Sequence, residues 1–353
     1  KTTFSITNTN IVYVDDDYNS GTSGWRTTHF AKIQDGIDAV DPNGIVYIYP
    51  GNYDEIASGR YLFDGSGPYQ FGLFINKDGI KIYGVDSGGN IINDYNNVAA
   101  SVNTNATNSF GYSGIWIESN NVTITGLEIL DNYVNGEMSN NKTIEVIGDN
   151  FTLKYCKLNV TNGGSIYIND WRFDQNSNTS YVKSYTIESN LLLNGTSIDL
   201  SSGAGFSGNV SDRKIINNKF ELNINSKAVI SFNGSNTGVP WFVYSVGGAE
   251  IKGNTFTKGQ IYIRARGDYD NSQFDWKSYF EDNNYLEGAV ITLISLVPFE
   301  VRTYSYTSGS YTFNNVRRIG GLIQKDIEEV ANLKDTILAS PGEYREQVIV
   351  NKV

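Results

Sequence analysis

Cysteine, methionine and histidine are almost absent from this sequence of 353 residues, which has one of each and only 6 prolines. The single cysteine, Cys156, excludes a disulfide bond within the chain and any metal cluster built on cysteine ligands. We expect it to be a small buried residue in a strand. No apolar run approaches the roughly 18 to 20 residues of a membrane-spanning helix, so we expect no membrane insertion.

Basic residues are in the minority as well. There are 27 Lys and Arg against 38 Asp and Glu, which gives a formal net charge of −11. An acidic surface attracts neither nucleic acid nor anionic membranes, and we expect neither as a partner. The same charge favours a neutral glycan over a polyanionic one, such as pectate or alginate, as a ligand.

Turn-forming and aromatic residues are abundant. The sequence has 36 Gly, many Asn, Ser and Thr, and 13% aromatic residues, of which 24 are Tyr, 17 Phe and 5 Trp. Gly and Asn readily adopt the positive φ angles that tight turns require. The composition therefore predicts an all-β protein in which short strands are separated by tight turns and helices are scarce.

One signature occurs twice, 290 to 291 residues apart. Each copy has an amphipathic stretch, an apolar strand and a Pro-Gly-x-Tyr turn, at 32–40, 45–49 and 50–53 in the first copy and at 323–330, 336–339 and 341–344 in the second. In addition, Ile75-Asn76-Lys77 is echoed by Val350-Asn351-Lys352. A structural unit is therefore begun twice in this chain.

This signature resembles the N-terminal cap and first coil of pectin-lyase-like, right-handed parallel β-helix proteins. The resemblance implies an all-β, right-handed parallel β-helix, or solenoid, with a short amphipathic cap helix at 32–40 that covers the open end of the first coil. The β-helix with its cap and long loops is then expected at 1–315. Residues 316–353 are expected to begin a second homologous unit or to form a C-terminal cap. The resemblance and the scarcity of Cys, Met and His favour an extracellular or cell-surface location.

A coil register supports this fold. Six segments between 124 and 285 open and close on apolar residues, and their fourth positions are Leu127, Cys156, Asn190, Asn218, Asn254 and Asn283. Variable spacing with a constant register is typical of a three-sided β-helix whose loops differ in size. The four Asn are predicted to stack as a ladder at one turn, with neighbours about 4.8 Å apart.

Three polar excursions interrupt this register, at 169–181, 233–247 and 264–276. If they leave the same corner of the solenoid, they form one wall along it. Exposed aromatic rings in such loops can stack on sugar rings, although each Trp could equally anchor its own loop. The predicted ligand-binding residues are Trp171, Trp241, Phe242, Tyr244, Phe274 and Trp276.

Basic residues in or beside the excursions allow a different function, that of a polysaccharide lyase. Such an enzyme needs a cation or an Arg to neutralise a uronate carboxylate, and a base to take the C5 proton. The candidates for these roles are Arg172, Lys183, Arg264, Arg266 and Lys277. No motif of the characterised lyases accompanies them, and ion pairing or loop solubility explains them equally well.

Two acidic groups offer further hypotheses. A glycosidase needs two nearby carboxylates, and the excursions contain Asp170, Asp174, Asp268, Asp270 and Asp275. The run Asp15-Asp16-Asp17 carries hard oxygen ligands that suit Ca²⁺, although a solvated acidic turn explains it as well. No cofactor is required by the sequence.

The sequence predicts a non-catalytic extracellular or cell-surface protein that binds a polysaccharide such as cellulose or xylan through aromatic loops. It is similar in kind to the β-helical cellulose-attachment proteins called tāpirins. Three alternatives stay open: a polysaccharide lyase, a glycoside hydrolase, and a structural surface-layer or filament module that contacts other surface-protein modules.

Overall fold

The protein is described by a computed structural model. The described residues are 9–55, 62–63, 68–104, 112–131, 142–160, 164–169, 182–194, 196–202, 212–221, 228–234, 249–257, 260–265, 282–286, 290–295, 306–308, 311–313, 315–320, 327 and 347–350. Strands predominate in this part of the chain. Two compact units divide it, Lys1–Tyr167 with Ser184–Thr196 and Ile168–Lys183 with Ser197–Val353.

The described residues of the N-terminal half form one α-helix, α1 (Ile33–Ala39), a 3-10 helix at Tyr95–Asn97, and short strands. These strands are β1 (Ile11–Val14), β2 (His29–Phe30), β3 (Ile45–Ile48), β4 (Gly51–Asp54), β5 (Leu62–Phe63), β6 (Pro68–Ile75), β7 (Lys81–Gly84), β8 (Ala100–Asn103), β9 (Tyr112–Ile117), β10 (Thr123–Thr125), β11 (Glu128–Asp131), β12 (Lys142–Val146), β13 (Phe151–Lys154), β14 (Lys157–Val160), β15 (Ser165–Asn169), β16 (Tyr185–Glu188) and β17 (Leu191–Leu193).

The C-terminal half continues with strands of similar length. They are β18 (Ser197–Ser202), β19 (Arg213–Ile216), β20 (Lys219–Glu221), β21 (Ala228–Gly234), β22 (Ala249–Lys252), β23 (Thr255–Thr257), β24 (Gln260–Ala265), β25 (Asn284–Leu286), β26 (Val290–Ser295), β27 (Tyr306–Ser308), β28 (Tyr311–Phe313) and β29 (Asn315–Gly320).

Three parallel sheets run along the first unit. Sheet 1 has the order β2-β1-β3-β7-β10-β13-β16, sheet 2 the order β4-β8-β11-β14-β17, and sheet 3 includes β6-β9-β12. Each turn of the chain adds one strand to each sheet in parallel register. Parallel crossovers of this kind are right-handed. The architecture is the right-handed parallel β-helix that the sequence predicted.

The second unit has the same three-sided construction. β19 pairs with β22, the order β20-β23-β25 forms another side, and β18-β21-β24-β26 form the third. Two antiparallel elements follow: β29 pairs with β26, and β27 forms a hairpin with β28. The predicted boundary between 315 and 316 falls inside β29. The second unit expected at 316–353 stays a prediction, because most of that segment lies outside the described residues.

Apolar side chains at every second strand position fill the solenoid core. In β1, β3 and β7, side chains such as Val12, Val46 and Ile82 point inward and are buried, while the residues between them face outward. Successive side chains in a strand point to opposite faces, so this pattern is the direct result of the period of two in the sequence. Each fully buried Val or Ile stabilises the fold by about 1.5–3 kcal/mol.

Helix α1 caps the first coil of the solenoid, as predicted for 32–40. Lys32 and Val40 flank the helix, which buries Ile33, Gln34, Gly36 and Ile37. At Gly36 a Cβ atom would lie 2.8 Å from a methyl group of Val14. The helix can therefore approach β1 closely only because this position lacks a side chain.

Three polar side chains, which we call the cap clamp, hold α1 in place: Gln34, Glu55 and Lys77. The Gln34 amide accepts from Phe74 N–H (2.7 Å) and donates to Phe74 C=O (3.1 Å), so it acts like a strand backbone at β6. The buried Glu55 carboxylate accepts from Ile33 N–H at 2.6 Å, at the helix N-terminus.

Lys77 supplies the other end of the cap clamp. Its ammonium donates to the backbone carbonyls of Ile37, Asp38 and Val40, at 3.1, 2.6 and 2.8 Å. These are carbonyls at the helix C-terminus, where a positive charge also complements the helix dipole. The clamp thus satisfies both ends of a helix that is too short to be stable alone.

The predicted Asn ladder is present at the corner between sheets 1 and 2. In the first unit Cys156 N–H donates to Asn190 Oδ1 (2.9 Å), and Asn190 Nδ2 donates to Leu153 C=O (3.0 Å). Cys156 itself is fully buried, as expected. The residue before five of the six register positions has a positive φ, namely Gly126, Tyr155, Ser189, Asn217 and Gly253.

The ladder continues on the same pattern within the second unit. Asn218 N–H donates to Asn254 Oδ1 (2.9 Å), and Asn254 N–H donates to Asn283 Oδ1 (3.0 Å). Asn254 Nδ2 reaches Ile215 C=O at 2.8 Å. The Asn254 amide therefore bonds the preceding coil, and its Nδ2 also donates to Asn283 Oδ1 of the next coil at 2.9 Å.

A second polar ladder, which the sequence analysis missed, precedes the strands of sheet 1. Asn120 N–H donates to Asp78 Oδ1 (2.7 Å), Asp149 N–H to Asn120 Oδ1 (2.9 Å), and Ser184 N–H to Asp149 Oδ1 (2.8 Å). Its sequence signal is an Asp or Asn followed by Gly or Asn directly before an apolar strand, which occurs at 78, 120 and 149.

Candidate functional site

The predicted aromatic loop site lies outside the described residues. This holds for Trp171, Trp241, Phe242, Tyr244, Phe274 and Trp276, and also for Arg172, Arg266 and Lys277 of the lyase hypothesis. Of the other basic candidates, Lys183 is exposed just before β16. Arg264 was assigned to the third excursion, and this boundary was wrong, because β24 continues through Ala265.

The described strands do establish where two of the excursions begin. β21 and β24 are parallel neighbours, with Asn233 opposite Arg264. The segments 235–248 and 266–281 follow the C-terminal ends of these two strands. Because parallel strands end at the same edge of a sheet, the described ends of β21 and β24, from which these segments continue, lie at one edge. The common wall stays a prediction.

The aspartate turn is well described and tightly bonded. Asp15, Asp16 and Asp17 each offer a carboxylate oxygen, and these atoms lie within 4.8 Å of one another. Asp16 accepts from Asn52 N–H (2.9 Å), and Asp15 accepts from Asp17 N–H (3.0 Å). These bonds tie the turn to the start of β4, which gives it a structural role. Ca²⁺ binding stays a prediction, because Ca²⁺ takes six to eight oxygen ligands.

Sheet 1 carries four aromatic side chains on its outer face, which we call the aromatic row: His29, Tyr13, Tyr47 and Tyr83. They lie opposite one another in the register of β2, β1, β3 and β7. The ring centroids are 5.0 Å apart for Tyr13 and His29, 5.8 Å for Tyr13 and Tyr47, and 6.1 Å for Tyr47 and Tyr83.

Local sequence explains why the aromatic row forms. Tyr occupies the third position of Ile11–Val14, Ile45–Ile48 and Lys81–Gly84, between two inward positions. Aligned strands about 4.8 Å apart bring these rings into contact. The signal is visible in the sequence. Only the loop aromatics were singled out from the sequence, so this row was not predicted.

Tyr13 stacks on His29 and on Tyr47, whereas the Tyr83 ring is tilted against Tyr47. Interplanar angles are 26° for Tyr13 and His29, 22° for Tyr13 and Tyr47, and 39° for Tyr47 and Tyr83. Tyr18 closes the end of the row by packing against His29, with centroids 5.0 Å apart and a tilt of 60°. All five rings are half-buried. Stacking covers part of each ring face, so ring edges and polar groups form the accessible part of the row.

Burial is the main influence on two phenols of this region, those of Tyr18 and Tyr83. Burial, and then the nearby Asp15, raise the pKa of Tyr18, and burial together with Tyr47 raises the pKa of Tyr83. A neutral phenol can both donate and accept a hydrogen bond. Along the sheet the same register continues from Tyr83 to Thr125 and then to Lys154, so the aromatic row gives way to polar residues.

A buried ion pair lies on the outer face of sheet 3. The Glu145 carboxylate accepts from Ser113 Oγ (2.6 Å) and from Lys142 Nζ (2.7 Å). The Lys142 ammonium also lies 4.2 Å from the ring centroid of Tyr167. This set satisfies a carboxylate that is only 2% exposed, which is a structural requirement. No pattern in the sequence marked these residues in advance.

Comparison with protein-family models, curated proteins and solved structures found no match to this chain. Among the described residues, no helix is long and apolar enough to cross a membrane.

Proposed function

We propose that this chain is a non-catalytic, extracellular or cell-surface β-helix protein that binds a neutral polysaccharide of the cellulose or xylan kind. The observation that carries the proposal is the aromatic row, in which four rings in register follow the axis of the solenoid on one outer face. Repeated aromatic groups along a line suit a ligand that is itself a linear repeat.

The chemistry of the row supports a polar but uncharged ligand. The phenols of Tyr13, Tyr47 and Tyr83 can donate to and accept from sugar hydroxyls. Ring edges supply apolar contact with the C–H groups of a sugar. A single contact of this kind contributes about 0.5–1.5 kcal/mol. Several along one chain are needed for useful affinity, and a row of adjacent rings provides them.

The net charge of −11 favours the same class of ligand. An acidic protein is repelled by uronate polymers unless a basic patch or bound cations intervene. Asp15, Asp16 and Asp17 lie next to Tyr18 at the end of the aromatic row and add to that repulsion. A neutral glycan carries no such cost.

The test compares how much glycan binding is lost when hydroxyls are removed from the aromatic row and when the predicted loop rings are removed. The double variant Tyr47→Phe, Tyr83→Phe keeps the stacking but removes two hydroxyls, and we expect it to weaken binding to insoluble cellulose or xylan by about tenfold. The matched control is Tyr95→Phe, at a half-buried tyrosine outside the row. Thermal unfolding of each variant checks that the fold is unchanged.

The binding results distinguish a site at the aromatic row from a site in the excursions. Unchanged binding in the row variant, together with loss in Trp171→Ala, Trp276→Ala, would move the site to the excursions. Failure of the wild-type chain to bind any neutral glycan would overturn the proposed function itself. Unsaturated products released from a uronate polymer would replace it with a lyase.

A further inference from the structure

The outer face of sheet 1 changes from aromatic to hydroxyl side chains beyond the aromatic row. In β10, β13 and β16 the outward positions carry Thr123, Thr152 and Thr186, which lie opposite one another in parallel register. Thr125, two residues after Thr123 on the same face, lies opposite Tyr83 of the aromatic row. We call these four threonines the hydroxyl patch. It continues the surface of the aromatic row along the solenoid axis within one compact unit.

None of the four hydroxyls of the patch bonds another of the described residues. Other hydroxyls on the strands of this unit are paired: Ser101 Oγ donates to Glu128 at 2.9 Å, and Ser113 Oγ donates to Glu145 at 2.6 Å. Polar groups of folded proteins are rarely left without a partner. The hydroxyl patch is therefore available to water or to a ligand, and a ligand hydroxyl can take the place of that water.

Thr125 is the most enclosed member of the hydroxyl patch. It is only 7% exposed, and its neighbours in register are Tyr83 on one side and Lys154 on the other. An enclosed hydroxyl that bonds no described group costs free energy unless a partner reaches it along the face. Beside it, Lys154 Nζ lies 2.6 Å from a Glu188 carboxylate oxygen. This pair adds a donor and an acceptor that sugar hydroxyls can bond.

We infer that the glycan site extends from the aromatic row across the hydroxyl patch, so that the preferred ligand is a long linear polysaccharide and not a short oligosaccharide. This inference rests on the proposed function. The two parts together cover the seven strands of sheet 1 from β2 to β16. Steps of about 4.8 Å between strands give them a length of about 29 Å. Rings supply apolar contact at one end, and threonine hydroxyls, which both donate and accept, bond sugar hydroxyls at the other.

Calorimetric titration with cellotriose, which is short enough for the aromatic row alone, and with cellohexaose tests the inference. The triple variant Thr123→Val, Thr152→Val, Thr186→Val removes three hydroxyls and keeps the branched shape of the side chains. We expect it to weaken cellohexaose binding by about tenfold and to leave cellotriose binding within about twofold. Serine at the same three positions retains the hydroxyls. This matched control should bind cellohexaose as the wild-type chain does.

Unchanged cellohexaose binding in the valine variant, with weaker binding in Tyr47→Phe, Tyr83→Phe, would overturn the extended site and leave the proposed function standing. Equal losses in the valine and serine variants would also overturn it, because the hydroxyls would then not be the binding groups. A wild-type chain that binds no neutral glycan would overturn both proposals. If thermal unfolding shows that the triple valine variant is destabilised, Thr152→Val alone should still weaken cellohexaose binding by about threefold, and no change would contradict the inference.

Discussion

At the scale of single residues, Glu55 combines burial with a raised pKa. It is a carboxylate only 5% exposed, placed against the N-terminus of a seven-residue helix. Burial raises its pKa to about 7, although the hydrogen bonds from Ile33 and Gln34 act in the opposite direction. Desolvation therefore outweighs the favourable position at the helix end.

This shift predicts a pH-dependent contribution to stability. The pKa rises from 4.5 unfolded to about 7 folded, so the contribution is fully present below about pH 4.5 and is lost as the pH rises through about 7. Its size is about 3 kcal/mol. Glu55→Gln keeps an acceptor for Ile33 N–H and cannot ionise. We expect its free energy of unfolding to lack this fall between pH 4.5 and 8.

Urea unfolding at a series of pH values measures the difference between the two proteins. Glu221→Gln, at a side chain that is 41% exposed, is the control and should keep the wild-type pH profile. Parallel curves for the wild-type protein and Glu55→Gln would show that Glu55 does not titrate in this range.

At the scale of elements, the Asn ladder defines the corner of each coil. A residue with positive φ makes the turn, and the following buried amide bonds the backbone of the adjacent coil. This corner was predictable from the sequence because both requirements are local in composition. Only a few residue types tolerate the turn, and few side chains can both accept from and donate to the backbone of a neighbouring coil.

The ladder predicts a large cost for replacing one of its members. Asn254→Ala leaves the Asn218 N–H, the Ile215 carbonyl and other buried groups without their partner. We expect it to lower the free energy of unfolding by about 3 kcal/mol. Thr255→Ala, on the outward side of the next position, should change it by less than about 0.5 kcal/mol. Equal effects of the two variants in urea unfolding would argue against the ladder.

At the scale of the whole molecule, net charge gives different expectations for a protein that binds a neutral glycan and for a lyase that acts on a uronate polymer. A chain with a charge of −11 should bind pectate more weakly than cellulose or xylan at low salt. Screening shortens the Debye length to about 3 Å at 1 M salt. The difference in binding between pectate and the neutral polymers should therefore be smaller at that salt concentration. Pull-down on each polymer at 20 mM and 1 M NaCl measures this difference in binding. Strong pectate binding that salt weakens would indicate a basic patch and favour the lyase hypothesis.

Much of the fold was predictable, and the candidate site was not. The cap helix, the coil register and the ladder follow from patterns within one or two coils of sequence. The aromatic row follows from an alignment of three short strands, Ile11–Val14, Ile45–Ile48 and Lys81–Gly84. Their tyrosines look unremarkable one at a time. They form a row only because the parallel register sets them side by side.

The amino-acid sequence by itself determined the β-helix, since alternating apolar residues, turn-forming Gly and Asn, and a repeated cap signature allow few other arrangements. Only the tertiary structure decided what the polar residues of that signature do. Gln34, Glu55 and Lys77 reach partners about 20 to 40 positions away. Such contacts depend on how each coil stacks on the one before, which no local pattern encodes.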